Sequence, residues 1–207
     1  MKKIKITLPD QSMREVPHGS TPSDIALEIG PGLARSVVVA KANNILIDLN
    51  KPLIEDCTLQ LFNGETEEGH DTLLHSTAHL MAQAVKEIYP NSKVTIGPTI
   101  QNGFYYDFDV ETPFTDKNLE EIEHKMRELA KSSQEIIRDE ISVDEAIKRF
   151  EEMGETYKID IIKNIDKTEI LSTYTQTNFM DLCRGPHVSI HRKLSILNLP
   201  QPLALIG

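Results

Sequence analysis

The polar octet at residues 63–70 (NGETEEGH) constrains this sequence more than any other stretch. It carries no aliphatic side chain, holds two glycines, and separates two segments of strongly periodic hydrophobicity. Such a run reads as a linker, so the expectation is a small domain over 1–62 and a larger one over 71–207. Charge divides at the same place. Up to Phe62 seven Lys/Arg balance seven Asp/Glu, so the whole formal charge of −10 falls on the remainder. That acidity argues against nonspecific duplex binding, which needs a basic footprint for counterion release. It leaves room for a protein that handles only the end of a nucleic acid through a few local contacts.

The first segment reads as a mixed unit. Residues 4–8 alternate as a strand, the Pro9-Asp10-Gln11 turn leads to a second strand near 13–16, and Thr21-Pro22-Ser23-Asp24 is a helix start. There Thr21 caps, Pro22 occupies the first helical position, and Asp24 completes a capping box. Ile25, Ile29 and Leu33 continue the apolar face, with Gly30 and Gly32 bracketing the helix stop. The β-branched run 36–40 is a buried strand, Asn43-Asn44 turns it back through 45–47, and 58–62 closes the unit. Two strands, a helix and three strands suggest a ubiquitin-like β-grasp. The fold class expected for the whole chain is α+β.

In the second segment a helix is expected over 71–89, stopped by Pro90, with Leu74, Ala78, Met81, Val85 and Ile88 as its core stripe. Residues 94–100 and 104–108 form an expected hairpin about Asn102-Gly103. Thr115 opens a helix carrying Leu119, Ile122, Met126 and Leu129, and 136–141 reads as a strand. Ser142 opens a helix ending at Gly154. Short strands are expected at 157–162 and 169–174, giving a sheet covered by helices.

Two cysteines, Cys57 and Cys183, exclude a disulfide scaffold and make a reducing cytoplasm the expected location. No apolar run approaches the roughly 18 residues of a membrane span, and no secretory signal opens the sequence. His18, His70, His124 and His191 read as solvated. His75 and His79 stand one helical turn apart, about 100° from the centre of the apolar stripe, where a cleft wall would be. The second candidate segment is Asp181-Leu182-Cys183-Arg184-Gly185-Pro186-His187, whose Gly-Pro turn lets Cys183 and His187 face one point. Three imidazoles and a thiolate suit tetrahedral zinc. The same groups can orient a hydrolytic water without metal. Ser76 stands where a zincin requires glutamate, and no Walker A loop, Gly-x-Gly-x-x-Gly or Gly-x-Ser-x-Gly is present.

Residues 71–80 (DTLLHSTAHL) with 180–187 (MDLCRGPH) resemble the editing domain of threonyl-tRNA synthetases, and Gly97-Pro98 with 102–107 (NGFYYD) fits the same family's hairpin. Residues 1–62 resemble the TGS domain that precedes it. The likeness extends to about residue 188, and 189–207 do not look like the family's continuation. It implies an aminoacyl-tRNA ester hydrolase that clears Ser-tRNA(Thr), with His75, His79, Cys183 and His187 framing the pocket. It further implies that Asp181 receives the seryl hydroxyl or ammonium, that Lys158 offsets developing charge, and that Tyr106 and Arg184 contact substrate. It implies no metal and no cofactor in this stretch. The expected partner is a serylated tRNA(Thr) 3′ end, without a membrane. In the family a catalytic core follows and the parent is a homodimer, so aminoacylation is not expected of these residues. A zinc-binding module and a noncatalytic tRNA-binding fragment are the competing readings.

Overall fold

The computed structural model describes residues 2–95, 97, 99–100, 103–132 and 134–196. The chain divides into two compact units. One comprises residues 1–73 with 185–189, the other residues 74–184 with 190–207.

The first unit is a five-stranded mixed sheet of order β2-β1-β5-β3-β4, built from β1 (Lys3–Thr7), β2 (Met13–Pro17), β3 (Val37–Ala42), β4 (Ile45–Ile47) and β5 (Cys57–Asn63). Only β1 and β5 run parallel, with Ile6 opposite Cys57. Alternation puts Ile4 and Ile6 on one face, where they pack with Val16, Ile25, Ala26, Leu49 and Leu59. Helix α1 (Pro22–Ile29) starts as its sequence dictates, with Thr21 and Asp24 exchanging both capping-box bonds. The chain also turns at Asn43-Asn44 as expected, both residues lying in the left-handed region at φ 47° and 65°. The helix stops at Gly30, within the bracket that Gly30 and Gly32 set, so Leu33 lies beyond it. Pro31 cannot donate to the helix and its ring clashes with the preceding turn. The chain therefore restarts as α2 (Pro31–Ser36).

The octet at 63–70 is only partly a connection, because α3 (Glu67–Ile88) begins inside it. Thr66 Oγ1 accepts from the Gly69 N–H at 3.2 Å, and Glu67 and Glu68 supply acidic charge in the first turn. Gly69 is there for closeness: a Cβ on it would fall 1.8 Å from the Asn63 carbonyl oxygen.

In the second unit the expected continuous strand over 94–100 is two short ones. β6 (Lys93–Val94) pairs with β9 (Phe108–Asp109), and β7 (Thr99–Ile100) pairs with β8 (Gly103–Phe104). Gly97 within the run weakens a continuous strand there. Gln101, Asn102 and Pro98 themselves lie outside the described residues. Helix α4 (Asp116–Lys131) is capped by Thr115, reciprocated by Asn118. β10 (Ile136–Ser142), β11 (Ile170–Gln176) and β12 (Phe179–Leu182) form an antiparallel sheet. Ser142 caps α5 (Val143–Glu152), but Glu145 turns to Arg149 at 2.9 Å instead of closing a box.

The strand expected at 157–162 is a helix, α6 (Thr156–Lys163). Its isoleucines favour a strand locally. Tertiary packing decides otherwise. Ile159 and Ile162 join Phe150, Ile141 and Leu171 in one apolar cluster, and Lys158 is buried on the same helix. His191, expected to be solvated, is fully buried in a 3-10 helix (His191–Ile196). Its Nε2 lies 2.5 Å from Gln176 Oε1 and its Nδ1 3.4 Å from Ser132 Oγ.

Candidate functional site

A cavity of about 350 Å³ in the second unit is lined by His75, His79, Gly97, Tyr106, Lys158, Asp181, Leu182 and Cys183. Three elements deliver these groups. α3 carries the two imidazoles one turn apart, β12 carries Asp181 buried at its next-to-last position, and α6 contributes Lys158.

Asp181 is the hub. Lys158 Nζ lies 2.6 Å from Oδ1, which also accepts the Leu182 N–H at 2.8 Å. Tyr106 donates its hydroxyl to Oδ2 at 2.6 Å, and His79 Nε2 stands 3.7 Å from the same oxygen. All four residues are 5% exposed or less. Taking such charges from water costs several kcal/mol per ion, which the pairing offsets only when remaining lone pairs are also bonded. Here three donors occupy the carboxylate, which has about four lone-pair sites.

The electrostatics follow. Burial raises the Asp181 carboxyl pKa, but the Lys158 ammonium and the hydrogen bonds outweigh it and hold it below the ordinary value. Burial, then the Asp181 charge, pushes the Tyr106 phenol well above 10. Burial lowers His79 to about 3 despite Asp181, so near neutrality its imidazole is uncharged and too weakly basic to take a proton from water. His75 occupies a different setting. It is half-buried, meets His79 edge-on at 5.3 Å, and its Nε2 is 3.2 Å from Cys183 Sγ.

The wall opposite is steric. A Cβ on Gly97 would lie 2.1 Å from the Tyr106 ring, so only glycine allows the backbone this close. Phe108 stacks on Tyr106 from another side at 5.2 Å. The Tyr106 hydroxyl is thereby aimed at Asp181.

Of the residues singled out by sequence, His75, His79, Cys183, Asp181, Lys158 and Tyr106 line this one cavity. Arg184 does not. It is exposed and borders a separate cavity with Ile161, Ile170 and Cys183. His187 groups with the first unit, where it is buried and its N–H donates to Asp48 Oδ1 at 2.8 Å. Sequence reading passed over Gly97 as a wall and passed over Glu155, whose carboxylate is buried one helical turn before Lys158. The only local signal for the latter was an opposite-charge pair three residues apart, which usually marks a solvated helix face.

Residues 4–63 match the TGS domain family, a ubiquitin-like β-grasp in keeping with the sheet order above. The chain is 47% identical over 188 residues to a threonine–tRNA ligase of Citrifermentans bemidjiense, covering 91% of this chain and 29% of the relative. It is 48% identical over 194 residues to that of Alkalilimnicola ehrlichii (94% and 30%) and 45% identical over 199 residues to that of Pelobacter propionicus (96% and 31%). An alignment that covers 96% of the chain must take in residues beyond Val188, which corrects the expectation that the likeness stops there. The chain spans only about 30% of the length of these relatives.

Proposed function

We propose that this chain is the N-terminal part of a threonine–tRNA ligase and that its second unit hydrolyses the 3′-terminal ester of mischarged Ser-tRNA(Thr). The observation that carries the reading is the buried Asp181–Lys158–Tyr106 network on the wall of a small cavity whose rim holds a His75–Cys183 pair. A purely structural core of this size would favour apolar side chains, since a buried ion pair is weak evidence for stability.

The need for such a site follows from binding energetics. One methyl group separates threonine from serine and is worth about 1–3 kcal/mol of discrimination. A synthetic site that recognises a hydroxyl therefore admits serine too often, and a second, hydrolytic site must remove the error.

The chemistry divides among the lining groups. His75, the imidazole kept at the rim, takes a proton from water, and the hydroxide adds to the seryl carbonyl. The carbon–oxygen bond to the ribose breaks, and the ribose oxygen takes up the proton, leaving free serine and an intact 3′ hydroxyl. Lys158 supplies positive charge towards the developing oxyanion. The remaining acceptor site on Asp181 receives the seryl ammonium or hydroxyl, and neutral His79 fills the wall behind it. Tyr106 holds Asp181 in place. By resemblance alone, His187 belongs to the same reading, and Arg184 contacts the tRNA end from outside the cavity. No metal is assigned a role.

Purified chain is expected to deacylate Ser-tRNA(Thr), with His75→Ala slowing the reaction by about 10²-fold, Cys183→Ala slowing it through loss of the thiol that holds His75 Nε2 at 3.2 Å, and a chelator changing nothing. Wild-type rates in both variants would remove the assigned roles. A chelator-induced loss restored by zinc would favour a metal site instead. A chain that binds tRNA but never deacylates it would be a noncatalytic module.

A further inference from the structure

Resting on that reading, we propose that Glu155 and Lys86 form a positioning pair that sets the register of α6 against α3 and so places Lys158 on Asp181. Glu155 is 3% exposed, and although it is the residue preceding α6 its side chain makes no capping bond to that helix. Its Oε2 instead accepts the Val94 N–H from β6 at 3.0 Å, and Lys86 Nζ lies 2.8 Å from Oε1. Lys86 directs its hydrogen bonds to the carbonyls of Ser92 at 2.8 Å and Pro90 at 3.1 Å. Lys86 also forms an ion pair with Glu155 Oε1 at 2.8 Å.

Spacing links this pair to the site. Glu155, the residue that opens α6, precedes Lys158 by three positions, while His79 and Lys86 stand two turns apart on one face of α3. The two helices are thus tied directly at one level, Lys86 to Glu155, while at the other Lys158 holds Asp181 and the neutral His79 ring stands 3.7 Å from the same carboxylate. Apolar side chains would hold the helices together with less desolvation, but they tolerate sliding. A charged pair anchored to a backbone N–H fixes one register. That matters because Lys158 must meet Asp181 at 2.6 Å, and a misplacement of about 1 Å can cost roughly 10²-fold in rate. The Glu155 charge is also felt at the Tyr106 hydroxyl, where it adds to the larger effects of burial and Asp181.

Glu155 and Lys86 line no part of the cavity, so they are positioning residues, and their test needs readouts that simple destabilisation would not move. In Lys86→Met/Glu155→Gln the acceptor for Val94 and the side-chain volumes remain while both charges go. The expected result is a folded protein melting within a few degrees of wild type, with kcat for seryl deacylation down about tenfold or more and KM within twofold. Lys86→Arg, which keeps the charge, should retain most of the activity. Unchanged kcat in the folded double variant would overturn the proposal. A second readout is independent of deacylation: the 15N resonance of the Lys158 ammonium should shift or broaden in the double variant. An unchanged resonance would also overturn the proposal. If wild type proves inactive, the functional reading fails while this resonance still decides the positioning role.

Discussion

The two units bury different kinds of side chain. In the β-grasp unit the interior is Ile4, Ile6, Val16, Ile25, Leu49, Leu59 and their aliphatic neighbours. Among the described residues, every buried polar or charged side chain except Thr72 and His187 lies in the other unit. An aliphatic interior gains about 25 cal/mol per Å² buried, whereas each buried ion carries a desolvation cost of several kcal/mol. A fold that only has to persist takes the first course. One that buries an ammonium, a carboxylate and a phenol together gives up stability for that arrangement, and the contrast is what supports placing the proposed chemistry in the second unit.

The sharpest way to break the contrast is to delete the hub. Asp181→Ala leaves the Lys158 ammonium buried without its counter-charge, which should destabilise the second unit by about 3–5 kcal/mol and abolish deacylation. Ile25→Ala should cost the first unit a similar 2–5 kcal/mol and leave the deacylation rate of folded protein unchanged. Chemical denaturation with residue-resolved hydrogen exchange reads both. Deacylation that survives Asp181→Ala would sever the link between the charge cluster and activity.

Acid gives the next largest effect. His79 falls to about 3 and His191 to about 4, both chiefly through burial. Because these folded values lie below the usual 6.5, the unfolded chain binds more protons. Stability is complete above about pH 6.5 and declines as pH falls towards the folded values. The slope is at most about 1.4 kcal/mol per pH unit for each group. Denaturant midpoints measured between pH 7 and 5 should fall for the second unit, and His79→Gln with His191→Gln should flatten that fall. A slope that persists in the double variant would assign it to other groups.

How far these groups were legible in the sequence varies with the range of the interactions. The Thr21 capping box and the Asn43-Asn44 turn are made by residues within three positions of one another, so the sequence contains their whole cause. The His75–His79 face follows from helical period in the same way. Cys183 meets His75 across 108 positions, and what grouped them in sequence was the chemistry of three imidazoles and a thiolate together with the resemblance, since spacing alone does not bring such distant residues together. α6 was misread because its isoleucines favour strands while their burial against Phe150 and Leu171 is a tertiary fact. His191 was misread because its partners Gln176 and Ser132 are distant in sequence.

Smaller changes sharpen the comparison. Gly97→Ala forces a methyl into the Tyr106 ring, which should cost about 1–3 kcal/mol and slow deacylation as the hydroxyl leaves Asp181. Melting together with single-turnover kinetics checks this, and an unaffected rate would show that the Tyr106–Asp181 bond is dispensable. Thr21→Ala removes the cap of α1 and should cost about 1 kcal/mol. Melting followed in the first unit should register it with no change in deacylation.

The most direct measurement is the lifetime of the two esters in the presence of the wild-type chain. Ser-tRNA(Thr) should be hydrolysed at least tenfold faster than Thr-tRNA(Thr), because an editing site that admits the smaller seryl group must exclude the threonyl methyl. Equal lifetimes, or a seryl ester no shorter-lived than in buffer, would contradict the account.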